Sequence, residues 1–238
     1  MPIKAVLFDY MGTCLDWHTG ITNIFPSTIP QPDRSDFALE WRQLYFDTNA
    51  ARQGRGDPPE DIDITHRMTL DEMLTRPRWQ AHAELFTEEV KTKCIAQWHH
   101  QTAWDDTRPA LLKLRQRGYE VFVHANGTTR LQLDITRSAG LSDCFDMLFS
   151  SELIGTIKPA RENYDKCLGL IKRKPEECVM VAAHGYDVRG AKNVGMKTVY
   201  IYRWTDDINE DHAKMKGEFD AYLEGGMQGL DEVVAELG

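Results

Sequence analysis

The sequence lacks several features that would define a class of protein. Its 238 residues include only five cysteines, scattered along the chain without a Cys-x-x-Cys pair. An odd number of widely spaced cysteines favours reduced thiols over a disulfide framework, so we expect a cytoplasmic protein. No apolar run reaches the length of a signal peptide or a transmembrane helix, which predicts no association with membranes.

Positive charge is also scarce. The chain has 28 lysines and arginines against 37 acidic residues, for a net charge of -9. This balance argues against a nucleic-acid partner, which would need a clustered basic surface. A small anionic substrate remains compatible, because local charge can oppose the net sign. The hydrophobic content of 42% is enough to form the core of an α/β domain.

Short apolar runs alternate with amphipathic segments over most of the chain. Residues 3–8 form an apolar run typical of a buried parallel strand, and further strand patterns follow after residue 105. Residues 17–98 have helix-like segments at 36–52 and 74–100, a loop at 53–63, and no strand pattern. We therefore predict an α/β fold with a Rossmann-like parallel sheet formed by residues 1–16 and 99–238. A helical subdomain, residues 17–98, is inserted after the first strand.

Polar residues follow the predicted strands and loops at one edge of this sheet. They are Asp9, Asn126, Lys158 and Asp187. Because the carboxyl ends of parallel strands meet at the same edge, we expect these side chains to form one site. Backbone N–H groups in the turns at Gly12 and Gly127 would suit an anion there.

Four sequence motifs contain these residues. They read DYMGTCLD (9–16), VHANGTTR (123–130), TIKPARENY (156–164) and VAAHGYDVRGA (181–191). In this order, they resemble the motifs of the haloacid dehalogenase (HAD) superfamily, and most closely those of the type II L-2-haloacid dehalogenases. The resemblance implies a HAD-like core, a helical cap in place of the insert, and a hydrolase that could form a homodimer.

The resemblance also implies catalytic roles. Asp9 corresponds to the nucleophile, which forms a covalent ester, and Lys158 to the lysine that pairs with it. Asp187 would position Lys158 or activate water, and Thr13 would support the nucleophile. The segment ALEWRQLYF (38–46) resembles the cap segment whose arginine, here Arg42, accepts the departing halide.

Further residues are implied to bind the substrate. Phe46 and Tyr10 would exclude water from the carbon centre, and His184 is either a base that activates water or a packed histidine. The complete predicted set is Tyr10, Met11, Phe46, Ala125, Asn126, Tyr164 and His184.

The residue at position 11 favours carbon over phosphorus as the reacting centre. The superfamily's phosphatases usually carry an acid there to protonate the leaving oxygen, whereas Met11 cannot donate a proton and a halide needs none. Ala183 stands in the fourth motif, where a second acid is common. We therefore expect no metal or other cofactor. In the alternative, a Mg²⁺-dependent small-molecule phosphatase, Asp9 and Asp187 would hold the ion.

Two motifs depart from the dehalogenase pattern. Ala125 stands where those enzymes carry a serine, so N–H groups of Asn126 and Gly127 or the Thr128 hydroxyl would have to bind the substrate. Ala182 and His184 replace a serine and an asparagine. These changes leave open a HAD-like hydrolase with a different substrate, or a binding module without catalysis.

Overall fold

The computed structural model describes residues 2–58 and 60–238. The strands are β1 (Ala5–Phe8), β2 (Glu120–Ala125), β3 (Met147–Ser150), β4 (Cys178–Ala182), β5 (Lys197–Ile201) and β6 (Ala221–Leu223). The helices are α1 (Trp17–Ile24), α2 (Gln31–Gly54), α3 (Ile62–Met73), α4 (Glu88–Gln97), α5 (Thr107–Gln116), α6 (Thr129–Ser138), α7 (Ser151–Ile154), α8 (Arg161–Ile171), α9 (Gly185–Asn193), α10 (His212–Met215) and α11 (Leu230–Glu236). Short 3₁₀ helices cover Gln80–Leu85 and Pro175–Glu177.

The chain divides into two compact units. The core unit contains the residues up to Asp16 and Thr102–Gly238, and the helical unit contains Trp17–Gln101. The helical unit therefore ends at Gln101 rather than at residue 98. The residues after α4 belong with it because His99 bonds to Asp63 on α3 at 3.0 Å and Gln101 donates to the Gln97 carbonyl at 2.9 Å.

The core unit is built on a parallel six-stranded sheet, so the fold is α/β with a Rossmann-like sheet, as predicted. Its strand order is β3-β2-β1-β4-β5-β6. β1 lies in the middle, with Phe8 opposite Val123 on β2 and Val181 on β4. All four residues of β1 are buried, since an apolar strand covered on both faces has no solvent-facing side. The residue after β1 therefore emerges at the centre of the sheet edge.

α1 was not predicted, α2 begins at Gln31 rather than at residue 36, and the helical unit differs from its prediction in two further places. α3 begins at Ile62, inside and beyond the predicted loop at 53–63, because the Asp61 side chain caps the helix by accepting from the Asp63 N–H at 2.8 Å. The predicted helical segment 74–100 is interrupted. α4 begins only after Thr87, whose side chain accepts from the Val90 N–H at its amino end.

The core unit also departs from the sequence pattern. α9 begins at Gly185, so Asp187, which was expected to follow a strand or lie in a loop, lies in the first turn of a helix. Strand β6 was not predicted, because its three half-buried residues are too few to show a periodic pattern.

Candidate active site

Asp9 is the first residue after β1, and its side chain is buried. Its N–H donates to the Val181 carbonyl at 3.0 Å, which continues the β1–β4 pairing by one residue and fixes the direction of the side chain. Carboxylate oxygen Oδ1 accepts from the Lys158 ammonium at 2.9 Å. Oxygen Oδ2 accepts from the Thr13 hydroxyl at 2.8 Å. The two oxygens therefore have different partners.

The Lys158 ammonium is completely buried and uses all its protons. It donates to Asp9, to Asp187 Oδ2 and to the backbone carbonyl of His124 at 2.6 Å. Burial alone would lower the pKa of Lys158, but Asp187 and Asp9 raise it above the ordinary value. The lysine is therefore a fixed cation. The carbonyl of His124 is a contribution that the sequence did not suggest, since any residue there would supply it.

Asn126 holds the backbone of Lys158 rather than a side chain. Its Oδ1 accepts from the Lys158 N–H at 2.8 Å, and its Nδ2 donates to the Lys158 carbonyl at 3.1 Å. Asn126 thus lies beside Lys158 at this edge of the sheet, where its amide orients the lysine, and its role in binding substrate stays a prediction.

Asp187 lies in the first turn of α9, where the helix dipole favours a carboxylate. Its Oδ1 accepts from the Tyr164 hydroxyl at 2.7 Å, and Oδ2 accepts from Lys158. Gly190 makes this contact possible, because a Cβ there would lie 2.5 Å from the Tyr164 hydroxyl oxygen. Burial is the main reason why the pKa of Asp187 is raised. Tyr164, predicted to bind substrate, is instead placed to orient Asp187.

His184 joins the site through both ring nitrogens. Nδ1 lies 2.9 Å from Asp9 Oδ2, and Nε2 lies 3.1 Å from Asp206 Oδ1. Burial lowers the pKa of an imidazole, but the two carboxylates outweigh it and raise the pKa of His184 to about 10. At neutral pH, His184 is therefore an imidazolium, which is neither of the two roles considered from the sequence.

The nucleophile candidate is ionised in this environment. Burial would raise the pKa of Asp9, but the charges of Lys158 and His184, together with their hydrogen bonds, hold it well below the ordinary value. The Thr13 hydroxyl is oriented in turn, because its oxygen accepts from the Ala183 N–H at 2.9 Å and its proton is left for Asp9.

The turn after Asp9 is held by residues that the sequence did not indicate. Gly12 has φ +83°, and a Cβ there would lie 2.5 Å from a carboxylate oxygen of Asp206. The Trp104 indole donates to the Gly12 carbonyl at 2.8 Å, and Arg203 Nε donates to the Thr13 carbonyl at 3.2 Å. These contacts join distant parts of the chain, so no local motif marks them. Met11, half-buried, lies within the same turn.

Two predicted binding groups have other partners. The Gly127 N–H donates to the Ser151 hydroxyl at 2.9 Å, so the expectation that it binds an anion is wrong for this structure. The Tyr10 hydroxyl donates to Thr136 at 2.8 Å and its ring packs against Phe145, which places Tyr10 in the core of the sheet unit. The other predicted groups of the second motif are Ala125, buried at the end of β2, and Thr128, whose hydroxyl caps α6.

In the helical unit, Arg42 lies on α2 inside an aromatic cage. Its guanidinium carbon lies 4.5 Å from the centroid of the Phe46 ring and 5.3 Å from that of Trp98, with Trp17 and Tyr45 completing the cage. The side chain is buried, and its Nε has no hydrogen-bond partner among the residues that the structure describes. Within residues 2–58 and 60–238, no carboxylate pairs with it. A buried cation of this kind is suited to an anion.

The donor set does not fit a Mg²⁺ ion. Oδ2 of Asp9 already accepts hydrogen bonds from Thr13 and His184. The two oxygens of Asp187 accept from Tyr164 and Lys158. The residue after Ala183 is His184, an imidazolium, which would repel a metal ion. Mg²⁺ prefers an octahedron of oxygen ligands. Among the residues described, no group of three or more His, Cys, Asp or Glu side chains could hold a metal ion.

The pH dependence of stability tests the pairing of His184. Its folded-state pKa, about 10, lies above the ordinary 6.5, so its stabilising contribution is complete below pH 6.5 and is lost as the pH rises through 10. We expect the difference in melting temperature between the wild type and His184→Gln to be largest in mildly acidic buffer and to shrink towards pH 10. A difference independent of pH would contradict the pairing.

In this α/β fold, the central strand of a parallel sheet ends at a buried aspartate that pairs with a lysine from a later loop. A family model described as haloacid dehalogenase-like hydrolase matches residues 3–195, and the chain belongs to this family.

Known proteins similar to this chain include two kinds of hydrolase. (S)-2-haloacid dehalogenase 1 of Pseudomonas sp. (strain CBS-3) is 25% identical over 85% of this chain and 86% of its own length. Glyceraldehyde 3-phosphate phosphatase of Pyrococcus furiosus is 37% identical over 84% of this chain and 80% of its own length. A solved L-2-haloacid dehalogenase, 27% identical, superposes with a TM-score of 0.78 over 98% of this chain and 99% of that one. The comparisons therefore show the family and leave open the bond that is cleaved.

No helix within the described part of the chain is both long and apolar enough to cross a membrane.

Proposed function

We propose that the protein is a metal-independent hydrolase that displaces halide from a 2-haloalkanoic acid and yields a 2-hydroxy acid. The observation that carries this proposal is the state of Asp9, an ionised carboxylate whose partners are two fixed cations and a hydroxyl, with Met11 in place of a proton donor. Such a carboxylate is suited to attack carbon, and a halide leaves without a proton.

The two carboxylate oxygens of Asp9 have different roles in this proposal. Oδ2 accepts from two donors, Thr13 and His184, whereas Oδ1 accepts only from Lys158 among the side-chain donors described. We therefore assign Oδ1 as the attacking atom. Its lone pair forms a bond to C2 of the substrate as the carbon–halogen bond breaks, and the halide takes the bonding electrons. The product of this step is an ester on Asp9.

Water then hydrolyses the ester. It attacks Cγ of Asp9 and passes a proton to Asp187, whose raised pKa suits a base. The bond between Cγ and Oδ1 breaks, and the leaving alkoxide takes a proton from Lys158, which lies 2.9 Å from Oδ1. Asp187 returns its proton to Lys158, and Asp9 loses its own to solvent. The hydroxyl oxygen of the product therefore comes from Asp9.

This origin of the product oxygen is a testable consequence. In a single turnover in water enriched in ¹⁸O, with enzyme in excess, we expect an unlabelled 2-hydroxy acid and one labelled oxygen in the peptide that contains Asp9. Mass spectrometry of the product and of the digested protein measures both. Label in the product of the first turnover would show direct attack by water and would rule out the ester.

The function itself is tested by halide release. We expect release from L- or D-2-chloropropionate or from bromoacetate that is unaffected by EDTA. The alternative, a phosphatase, is favoured by the likeness to the Pyrococcus furiosus enzyme. Release of phosphate from small phosphate esters that needs Mg²⁺, with no halide release, would establish that alternative instead.

Arg42 is proposed to accept the halide. An arginine held among aromatic rings, with no carboxylate partner in the described part of the chain, is a cation available to an anion. We expect Arg42→Lys to lower halide release by about 10-fold to 100-fold, because a lysine lacks the planar fork of donors and the ring stacking. Arg55→Lys, at the exposed end of α2, is the matched control. Equal halide release by the two variants would show that Arg42 does not accept the halide.

A further inference from the structure

Asp206 is a buried carboxylate to which nothing above gives a role in the reaction. It follows β5, and its contacts include His184 Nε2 at 3.1 Å, the Thr205 hydroxyl at 2.7 Å, and Gly12, which has no side chain on the facing side. A side chain at position 12 would collide with it. The turn after the candidate nucleophile is thus shaped to admit this carboxylate.

The contacts of His184 indicate which of its ring nitrogens carry a proton. A carboxylate accepts hydrogen bonds and does not donate, so a ring nitrogen facing an ionised carboxylate carries a proton. Nε2 faces Asp206 and Nδ1 faces Asp9, and because these neighbours raise the pKa of His184 to about 10, the ring is doubly protonated at neutral pH. Asp206 forms no bond to the substrate in the proposed reaction, so its carboxyl group stays beside Nε2 when Asp9 becomes an ester.

The oxygen that His184 touches is the one that changes charge in the second step. Once Oδ1 is bonded to the substrate, Oδ2 is the carbonyl oxygen of the ester. When water attacks Cγ, the π electrons move onto Oδ2, which becomes an oxyanion. Thr13 lies at 2.8 Å and His184 at 2.9 Å from this atom, within the range required of oxyanion donors.

We propose that Asp206 is a positioning residue that holds His184 as an imidazolium against Oδ2 of Asp9, where it stabilises the oxyanion formed during ester hydrolysis. This inference rests on the proposed ester mechanism. It assigns the Asp206–His184 pair to the second step alone, because in the first step Oδ2 loses negative charge as the ester forms and a cation there gives no acceleration.

The experiment separates the two steps with bromoacetate. Wild type, His184→Gln and Asp206→Asn are each mixed rapidly with the substrate, and the release of bromide is followed over time. Samples are quenched in acid, and the mass of the protein is measured by mass spectrometry. We expect the rate of bromide release in the first turnover of both variants to lie within about threefold of the wild-type rate. Later turnovers should be slower by up to about 10²-fold in His184→Gln, because the glutamine amide can donate a hydrogen bond but lacks the positive charge that stabilises the oxyanion. The ester on Asp9 should accumulate in both variants.

Three controls make the result specific. Asp220→Asn removes a carboxylate that bonds to Thr198 on β5 and touches none of the site residues, and it should not accumulate ester. Asp206→Glu should restore part of the later turnover. Nitrogen-15 NMR of His184 should show two protonated nitrogens at neutral pH in the wild type and a neutral ring in Asp206→Asn, a change that a purely structural role for Asp206 would not produce.

Several outcomes would overturn the inference. It fails if His184→Gln turns over without accumulating ester, or if both variants slow the first bromide turnover as much as the later ones. If the wild type releases no bromide at all, the proposed function has failed rather than the pairing. The NMR spectra then decide: an imidazolium lost in Asp206→Asn supports the positioning role, and a neutral ring in the wild type refutes it.

Discussion

Asp9→Asn is expected to lower halide release by about 10⁴-fold or more, because the variant lacks the oxygen nucleophile on which the covalent step depends. The amide is nearly the same size as the carboxylate, so the packing at the end of β1 is kept. No ester should be detected by mass spectrometry after acid quenching, even with excess substrate. Steady-state halide release and the mass of the quenched protein measure the two effects.

The charge lost in this variant requires its own control. Asp9 is the common partner of Lys158 and His184, so its removal leaves two buried cations with one carboxylate fewer. A loss of stability is expected, and activity must be compared at a temperature where both proteins are folded. Asp143→Asn, which removes a surface partner of Arg108, controls for the change of net charge. Halide release in Asp9→Asn equal to that in Asp143→Asn would exclude Asp9 as the nucleophile.

The sequence predicted those parts of the site that depend on strand ends. An apolar run followed by an acid predicts a buried strand with a carboxylate at its end, and Asp9 lies there. Lys158 and Asp187 meet at the same edge, as the order of the predicted strands implied. These predictions succeed because a parallel sheet brings the carboxyl ends of all its strands together, whatever the intervening segments are.

Contacts made by turns could not be predicted in this way. Asp206 and Arg203 follow β5 in a segment without periodicity, and each reaches the turn at residues 12–13 from the far end of the chain. Neither sits in a motif. Their role follows from distances in the folded chain, such as the space that Gly12 leaves for Asp206.

The start of α9 could not be predicted from the sequence for a related reason. The position of Asp187 depends on α9 beginning at Gly185, but hydrophobic periodicity locates the middle of a helix better than its first turn. The error matters for function, because the first turn brings the carboxylate of Asp187 to Lys158 and gives it the favourable end of the helix dipole. Tyr164 was predicted to bind substrate on resemblance alone, whereas its hydroxyl bonds to Asp187.

Lys158→Met is expected to be the most destabilising single change in the site. The ammonium is fully buried between Asp9 and Asp187, and removing it leaves two like charges facing each other without a cation between them. Breaking a buried ion pair by deleting one partner costs about 3–5 kcal/mol. Halide release should fall by at least about 10³-fold, because an orienting and charge-stabilising donor is lost.

A double variant separates charge from packing in this prediction. Lys158→Met combined with Asp187→Asn removes one carboxylate together with the cation, so the repulsion that remains in Lys158→Met is relieved. We expect the double variant to be more stable than Lys158→Met in urea denaturation, although neither should release halide. If the double variant is no more stable, the loss of stability arises from packing around the methionine and not from repulsion between the carboxylates of Asp9 and Asp187.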